Sequence, residues 1–247
     1  MVMTAEHLPL TGLPTEGLPD SVIVCGDPAR ASKAAEQLED AELFSEKREY
    51  RCYVGSFKGQ TVAVCSHGIG APGAAIAFEE LVRAGARKII RAGTCGALQP
   101  GMKPGHLIIA TAAVQSTGYG RETVPQGYPA VADLDLTLAL RREADKIGKP
   151  YSSGIILSRD NFYRGVDLVD NLDYKLLSQA NVQAVEMESA ALFIIGSLRG
   201  VQTAAIVVVD GNVLDSAGES MDTYAPGRQV VQDAVETEIM IALQSLI

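Results

Sequence analysis

Two short stretches set an arginine among small residues at the end of an apolar run. The first is Gly26-Asp27-Pro28-Ala29-Arg30, after Ser21-Val22-Ile23-Val24-Cys25; the second is Arg91-Ala92-Gly93-Thr94-Cys95-Gly96-Ala97, after Lys88-Ile89-Ile90. Arginine has a permanent charge and a planar fork that grips oxyanions with two bonds, and glycine lets the backbone approach a ligand closely. Two such loops at strand ends point to a pocket for a small anion, phosphate first. Arg91 ends an apolar run, where a charge without a partner is costly. Neither stretch has the G-x-G-x-x-G spacing and no Walker A sequence is present, so a nucleotide cofactor is a weak reading.

The elements that must hold these loops alternate between strand and helix. The run 21–25 reads as a buried strand, with Asp27 as N-cap and Pro28 in the first turn of a helix over 29–38. Strands are expected over 50–57 and 60–66 around a Lys58-Gly59 hairpin turn, followed by a glycine-rich turn at 67–73 and a packed helix over 74–84. Further strands are expected over 88–92, 105–114, 154–157, 184–187 and 201–209, the last stopping at Asp210-Gly211. Helices are expected over 134–147, 168–179, 188–198 and 229–246. This pattern predicts an α/β fold in which a central mixed β-sheet is flanked by helices in three layers. The chain has 247 residues and no visible linker, so residues 1–247 are read as one domain.

Composition narrows the class. Hydrophobic residues make up 47%, and the net charge is −9, which argues against a nucleic-acid partner. The N-terminus lacks the pattern of a signal peptide and no apolar run reaches the roughly 20 residues of a membrane span. Cys25, Cys52, Cys65 and Cys95 fit no zinc or redox spacing. Reduced, mostly buried thiols and a cytoplasmic location are the expectation.

Seven motifs in order resemble the nucleoside phosphorylase family that contains uridine phosphorylases and hexameric purine nucleoside phosphorylases. They are Gly26-Asp27-Pro28-Ala29-Arg30, Arg48-Glu49-Tyr50, Ser66-His67-Gly68-Ile69-Gly70, Arg91-Ala92-Gly93-Thr94-Cys95-Gly96, Tyr128-Pro129-Ala130-Val131-Ala132-Asp133, Val185-Glu186-Met187-Glu188 and Val209-Asp210-Gly211. They span nearly the whole chain. The resemblance implies phosphorolysis, in which nucleoside and inorganic phosphate give free base and ribose 1-phosphate, a step of purine salvage. It implies no metal or organic cofactor, and phosphate as co-substrate.

By that resemblance Arg30, Arg48 and Arg91 hold phosphate, with hydrogen bonds from Gly26 and Thr94, and Arg48 serves a neighbouring subunit. Glu188 accepts from the ribose 2′- and 3′-hydroxyls, Met187 packs on the sugar and Glu186 supports the site. His7 reaches the 5′-hydroxyl of the adjacent subunit's nucleoside. Phe162 stacks on base or sugar, with Tyr163 as the neighbouring candidate, and Ile69 lines the sugar pocket. A homo-oligomer follows, typically a hexamer built as a trimer of dimers. Read alone, Glu188 is a first-turn helix acid favoured by the helix dipole, and Asp210-Gly211 is a turn.

Asp210 separates the subfamilies. An aspartate here in purine enzymes donates a proton to purine N7 and makes the base a better leaving group. Uridine phosphorylases lack it, and grip the uracil edge with a glutamine and an arginine four and six residues beyond the Phe162 position. Val166 and Leu168 stand there and cannot make those bonds. Purine nucleoside is therefore the expected substrate. Arg228 is expected to assist Asp210, and the 212–227 loop, with Asp215, Glu219 and Asp222, to cover the base. The alternatives are a uridine phosphorylase, a water-using nucleosidase (opposed by the three phosphate arginines), and a nucleoside-binding protein without catalysis.

Overall fold

A computed structural model describes residues 6–163, 166, 173–214 and 228–247. The strands are β1 Ser21–Cys25, β2 Glu39–Lys47, β3 Tyr50–Phe57, β4 Gln60–Ser66, β5 Lys88–Ala97, β6 Leu107–Ser116, β7 Ala130–Val131, β8 Tyr151–Arg159, β9 Ala184–Glu186 and β10 Gln202–Asn212. The helices are α1 Pro28–Ala35, α2 Ala71–Ala84, α3 Gly118–Thr123, α4 Leu134–Ile147, α5 Tyr174–Gln179, α6 Ser189–Arg199 and α7 Gln229–Ser245.

All ten strands of the described residues form one mixed sheet, in the order β10-β6-β8-β9-β5-β1-β4-β3-β2 with β7 beside β6. β10 pairs with β5 as well as β6, so β5, β9, β8, β6 and β10 close into a ring. From that ring β1, β4, β3 and β2 run out as an open wing. Along β5 the side chains alternate: Ile89 and Cys95 face the α2–α6 layer, while Ile90 and Ala92 face the layer that holds α4 and α7. β10 does the same with Val207 and Val208. Strands buried on both faces read as continuous apolar runs, as β1, β5 and β10 do.

Local signals explain most boundaries. Asp27 caps α1 by accepting from the Ala29 N–H at 2.8 Å, with Pro28 behind it. Lys58 and Gly59 both have positive φ, 49° and 78°, as a two-residue hairpin requires. Asp133 caps α4 through the Leu136 N–H, and left-handed Gly148 ends it.

Four expectations need correction. β5 does not stop at Ala92; it runs through Gly93 and Gly96 to Ala97, so the Gly93 stretch is strand rather than loop. β10 continues past Asp210-Gly211 to Asn212, and its register with β5 shifts between Val209 and Gly211. The acidic strand β2 and the short α3 have no counterpart in the sequence reading. Cys52 and Cys65 sit directly opposite each other in the β3–β4 register and are joined as a disulfide, which corrects the expectation of four reduced thiols. Cys25 and Cys95 are free and buried, and burial pushes the Cys25 thiol up to about 12. Leu168, Asp215, Glu219 and Asp222 lie outside the described residues, as does most of the expected covering loop. No described helix is long and apolar enough to cross a membrane.

Candidate active site

The floor of the site is a buried ion cluster built on β5. Arg91 stands between Val24 of β1 and Ala205 of β10, and only 3% of it is exposed. Its Nε donates to Glu186 Oε2 at 3.1 Å, and its Nη2 donates to Glu188 Oε2 at 2.6 Å. Nη1 lies 3.3 Å from His67 Nε2. Burial by itself lowers the Arg91 guanidinium, but Glu188 and Glu186 outweigh it and hold it above its ordinary value. Gly93 suits this packing, because a Cβ there would run into the Arg91 guanidinium, which its glutamates hold in place.

Each partner of Arg91 is itself positioned. Glu186, at the end of β9, accepts from the backbone N–H groups of Glu188 (3.0 Å) and Ser189 (2.9 Å) and from the Ser189 hydroxyl (2.8 Å). Ser158, at the end of β8, donates to the other oxygen of Glu186 and accepts from the Ala190 N–H at 2.9 Å. Glu186 thus satisfies the open end of α6 and fixes where Glu188 emerges. Glu188 Oε1 accepts from the Gly70 N–H at 2.6 Å. Burial pushes the Glu188 carboxyl up, Arg91 pulls it down and Glu186 pushes it up again. His67 follows β4, is fully buried, and stands edge-on to Phe78. Burial first, and the Arg91 charge second, hold His67 well below its usual range, so the imidazole is neutral.

Glu188 retains capacity for a ligand. An ionised carboxylate offers about four acceptor positions, and the described partners, Gly70 and Arg91, occupy one on each oxygen. The Met187 N–H also acts on this carboxyl.

The other anticipated residues occupy the following places in the fold. Half-buried Arg30 lies in the first turn of α1, just after Gly26, and Thr94 is half-buried on β5. Asp210 falls where β10 slips register, and such a bulge re-aims a side chain at a sheet end. Met187 is half-buried between the two glutamates. Ile69, 82% exposed, rises from the turn between Gly68 (φ 75°) and Gly70 (φ 89°). Phe162 and Tyr163 are also exposed and stack edge to face, which argues against a core role for either. Val166 is exposed as well.

Three residues stand apart. Arg48 is exposed at the two-residue tip of the β2–β3 hairpin, in left-handed backbone geometry with φ 59°. His7 is exposed on the N-terminal segment, beside Pro14. Among the described residues no hydrogen bond or ion pair joins either to the Arg91 cluster. Arg228 is exposed at the N-cap of α7.

The sequence reading missed several contributors. His67 lies inside a motif it quoted, but nothing in the residue's type revealed its contact with Arg91. Ser158 and Ser189 carry no signal beyond their places at a strand end and a helix start. Glu80 is buried and receives the Thr11 N–H and hydroxyl at 2.7 Å and 2.6 Å, which pins the segment that carries His7.

Strand ends thus surround a buried cluster of Arg91, Glu186, Glu188 and His67, and the ends of strands are where open α/β sheets bind ligands. Comparison with known proteins supplies the class. Residues 20–246 match the model of the phosphorylase superfamily. A guanosine phosphorylase of Halorubrum lacusprofundi is 36% identical over 91% of this chain and 91% of its own length. A uridine phosphorylase of Haemophilus influenzae is also 36% identical, over 98% of both chains. The structure of a purine nucleoside phosphorylase of Toxoplasma gondii in complex with immucillin-H superposes with a TM-score of 0.92 at 32% identity, over 100% of this chain and 97% of that one. The chain belongs to the phosphorylase superfamily, among its nucleoside phosphorylases. It is therefore a pentosyltransferase that acts on nucleoside and phosphate.

Proposed function

We propose that the protein is a purine nucleoside phosphorylase, converting purine ribo- and deoxyribonucleosides and phosphate reversibly to free base and (deoxy)ribose 1-phosphate. The observation that carries this reading is Asp210, set on the register slip at the end of β10 beside the anion-facing strand β5. A phosphate oxygen bonds to C1′ as the C1′–N9 bond breaks. The electron pair of that bond leaves with the purine, and Asp210 supplies the proton that N7 takes up. Glu188 receives the 2′- and 3′-hydroxyls, or the 3′-hydroxyl alone in a deoxyribonucleoside. Met187, Ile69 and Phe162 cover the sugar and base. Arg30 and Arg91, with Gly26 and Thr94, orient phosphate, and Arg228 assists Asp210. Val166 offers an apolar side chain where a pyrimidine edge needs a hydrogen-bonding partner.

No metal or organic cofactor has a step in this scheme. Arg48 and His7 complete the site of a neighbouring copy, which makes the working unit a homo-oligomer, read as a hexamer of three dimers in the cytoplasm. Pyrimidine is the competing reading, since a relative named for uridine is as similar as one named for guanosine. Incubation with inosine, guanosine, adenosine and uridine, with and without phosphate, decides between them. Purine release that depends on phosphate is expected. Faster uridine cleavage sinks the purine assignment, and equal cleavage without phosphate means hydrolysis.

A further inference from the structure

Residues 6–15 form a tight hairpin that carries His7. The Leu8 N–H donates to the Leu13 carbonyl at 2.7 Å, the Thr15 N–H to that of Glu6 at 3.2 Å, and the Gly12 N–H to that of Leu8 at 3.1 Å. His7 pairs with Pro14 across the hairpin. Neighbouring side chains of an extended segment face opposite ways. Leu8 and Leu13 accordingly are buried, and His7 is exposed. The direction of His7 is therefore fixed by how this hairpin sits on the protein.

Two side chains hold its tip. From inside, Glu80 of α2, itself 4% exposed, accepts the Thr11 N–H at 2.7 Å and the Thr11 hydroxyl at 2.6 Å on one oxygen, and the Leu10 N–H at 3.2 Å on the other. From outside, Lys47 at the end of β2 donates to the Pro9 carbonyl at 2.7 Å. The Lys47 bond is exposed, and water replaces it at little cost. The Glu80 bonds are different, because breaking them leaves the donors of buried Thr11 unmet in the interior. Among the described residues no cation pairs with Glu80, so these donors alone hold a carboxylate inside the protein. An amide in its place turns an NH₂ group toward the Leu10 N–H. The same helix also serves the floor of the site. Its N-cap residue, Gly70, donates to Glu188, so α2 sets Glu188 at one end and the His7 hairpin further along.

We propose that Glu80 is a positioning residue for His7, and that through it the protein prefers nucleosides that carry a 5′-hydroxyl. This rests on the reading that His7 reaches the 5′-hydroxyl in a neighbouring copy's site. Glu80 touches no substrate. When its grip is loosened the hairpin shifts on α2, and His7, on the strand next to the tip, shifts with it. The loss falls on the one contact His7 makes.

The test measures kcat/KM for inosine and for 5′-deoxyinosine, which lacks only that hydroxyl. The chains compared are the unmodified one, His7→Ala, Glu80→Gln and the double variant. Uridine and 5′-deoxyuridine replace the pair if the protein prefers pyrimidine. The ratio of the two values cancels any change in folding, phosphate binding or base contacts, which both nucleosides share. His7→Ala is expected to lower the ratio about two- to tenfold, the worth of one hydrogen bond. Glu80→Gln is expected to lower it in the same direction, and the double variant no further than His7→Ala, since the two residues act as one unit. A ratio unmoved by Glu80→Gln, equal slowing of both nucleosides included, overturns the proposal, as does a further drop in the double variant. If His7→Ala leaves the ratio unchanged, the 5′-hydroxyl reading of His7 has failed and the proposal falls with it. If His7→Ala lowers the ratio and Glu80→Gln does not, only the positioning role fails. Thr11→Val removes the hydroxyl donor and keeps the carboxylate; it is expected to give a smaller drop, and it takes the place of Glu80→Gln should that chain not fold.

Discussion

The floor of the site on β5 and its rim at the β2–β3 hairpin carry arginines assigned to the same anion under opposite conditions. Arg91 is enclosed, held by two glutamates and a histidine, and those partners are held in turn by Ser158, Ser189 and Gly70. Arg48 is exposed on a turn whose backbone is in the left-handed region. The floor is set before any ligand arrives, which spares the cost of arranging donors during the reaction. The hairpin's Arg48 has no hydrogen bond or ion pair to the cluster among the described residues. The partnered arginine and the exposed one thus stand in different parts of one sheet.

The contrast breaks most visibly at its centre. Arg91→Ala leaves Glu186 and Glu188 buried without a counter-charge, and a loss of about 3–5 kcal/mol in unfolding free energy is expected, as for other broken buried pairs. Urea unfolding measures it, and phosphate KM should rise in the same variant. An unchanged midpoint means the cluster does not hold the floor. Asp210→Asn is expected to lower kcat for inosine by about 10²–10⁴-fold, the usual contribution of a positioned acid, with phosphate binding intact. Unaltered turnover removes Asp210 from the mechanism.

The floor also has a pH signature. His67 is held below its ordinary value, so the unfolded chain binds its proton more readily than the folded one. That contribution is present above the unfolded value of about 6.5 and is lost as pH falls below it, by up to about 1.4 kcal/mol per pH unit. Thermal melts of the unmodified chain and His67→Gln measure this, and parallel curves below neutrality would speak against a buried neutral imidazole. The rim should behave otherwise. Arg48→Ala is expected to shift unfolding by no more than about 0.5 kcal/mol while raising phosphate KM. Co-refolding inactive Arg48→Ala chains with inactive Glu188→Ala chains should recover activity if one chain's hairpin serves another's floor. Absence of recovery confines Arg48 to its own chain.

Local grammar was readable where one residue decides the outcome. Asp27-Pro28, Lys58-Gly59 and the continuous apolar runs of β1 and β10 announced their elements. The reading failed where a distant contact overrides the local signal. Gly93 looks like a breaker, yet it sits within a central strand because Arg91's guanidinium lies over it. Asp210-Gly211 looks like a stop, yet β5 carries β10 onward past the slip. β2 was invisible because its residues are exposed or only half-buried and rich in Glu, which is how an edge strand discourages unwanted pairing. Arg91, Glu186 and Glu188, which the structure brings together, all stand in motifs visible in the sequence. His67's part in that cluster was not legible, since what sets it apart is a neighbour brought by tertiary packing.

The strand that closes the ring has a consequence for how the chain comes into being. β10 lies between β5 and β6, both made much earlier, so the edges of those two strands stay open until β10 itself has been synthesised. Such long-range closure is slow, and an unpaired apolar edge invites aggregation while it lasts. The same strand brings Asp210. A nascent or truncated chain ending before β10 therefore has neither a closed sheet nor the proposed acid.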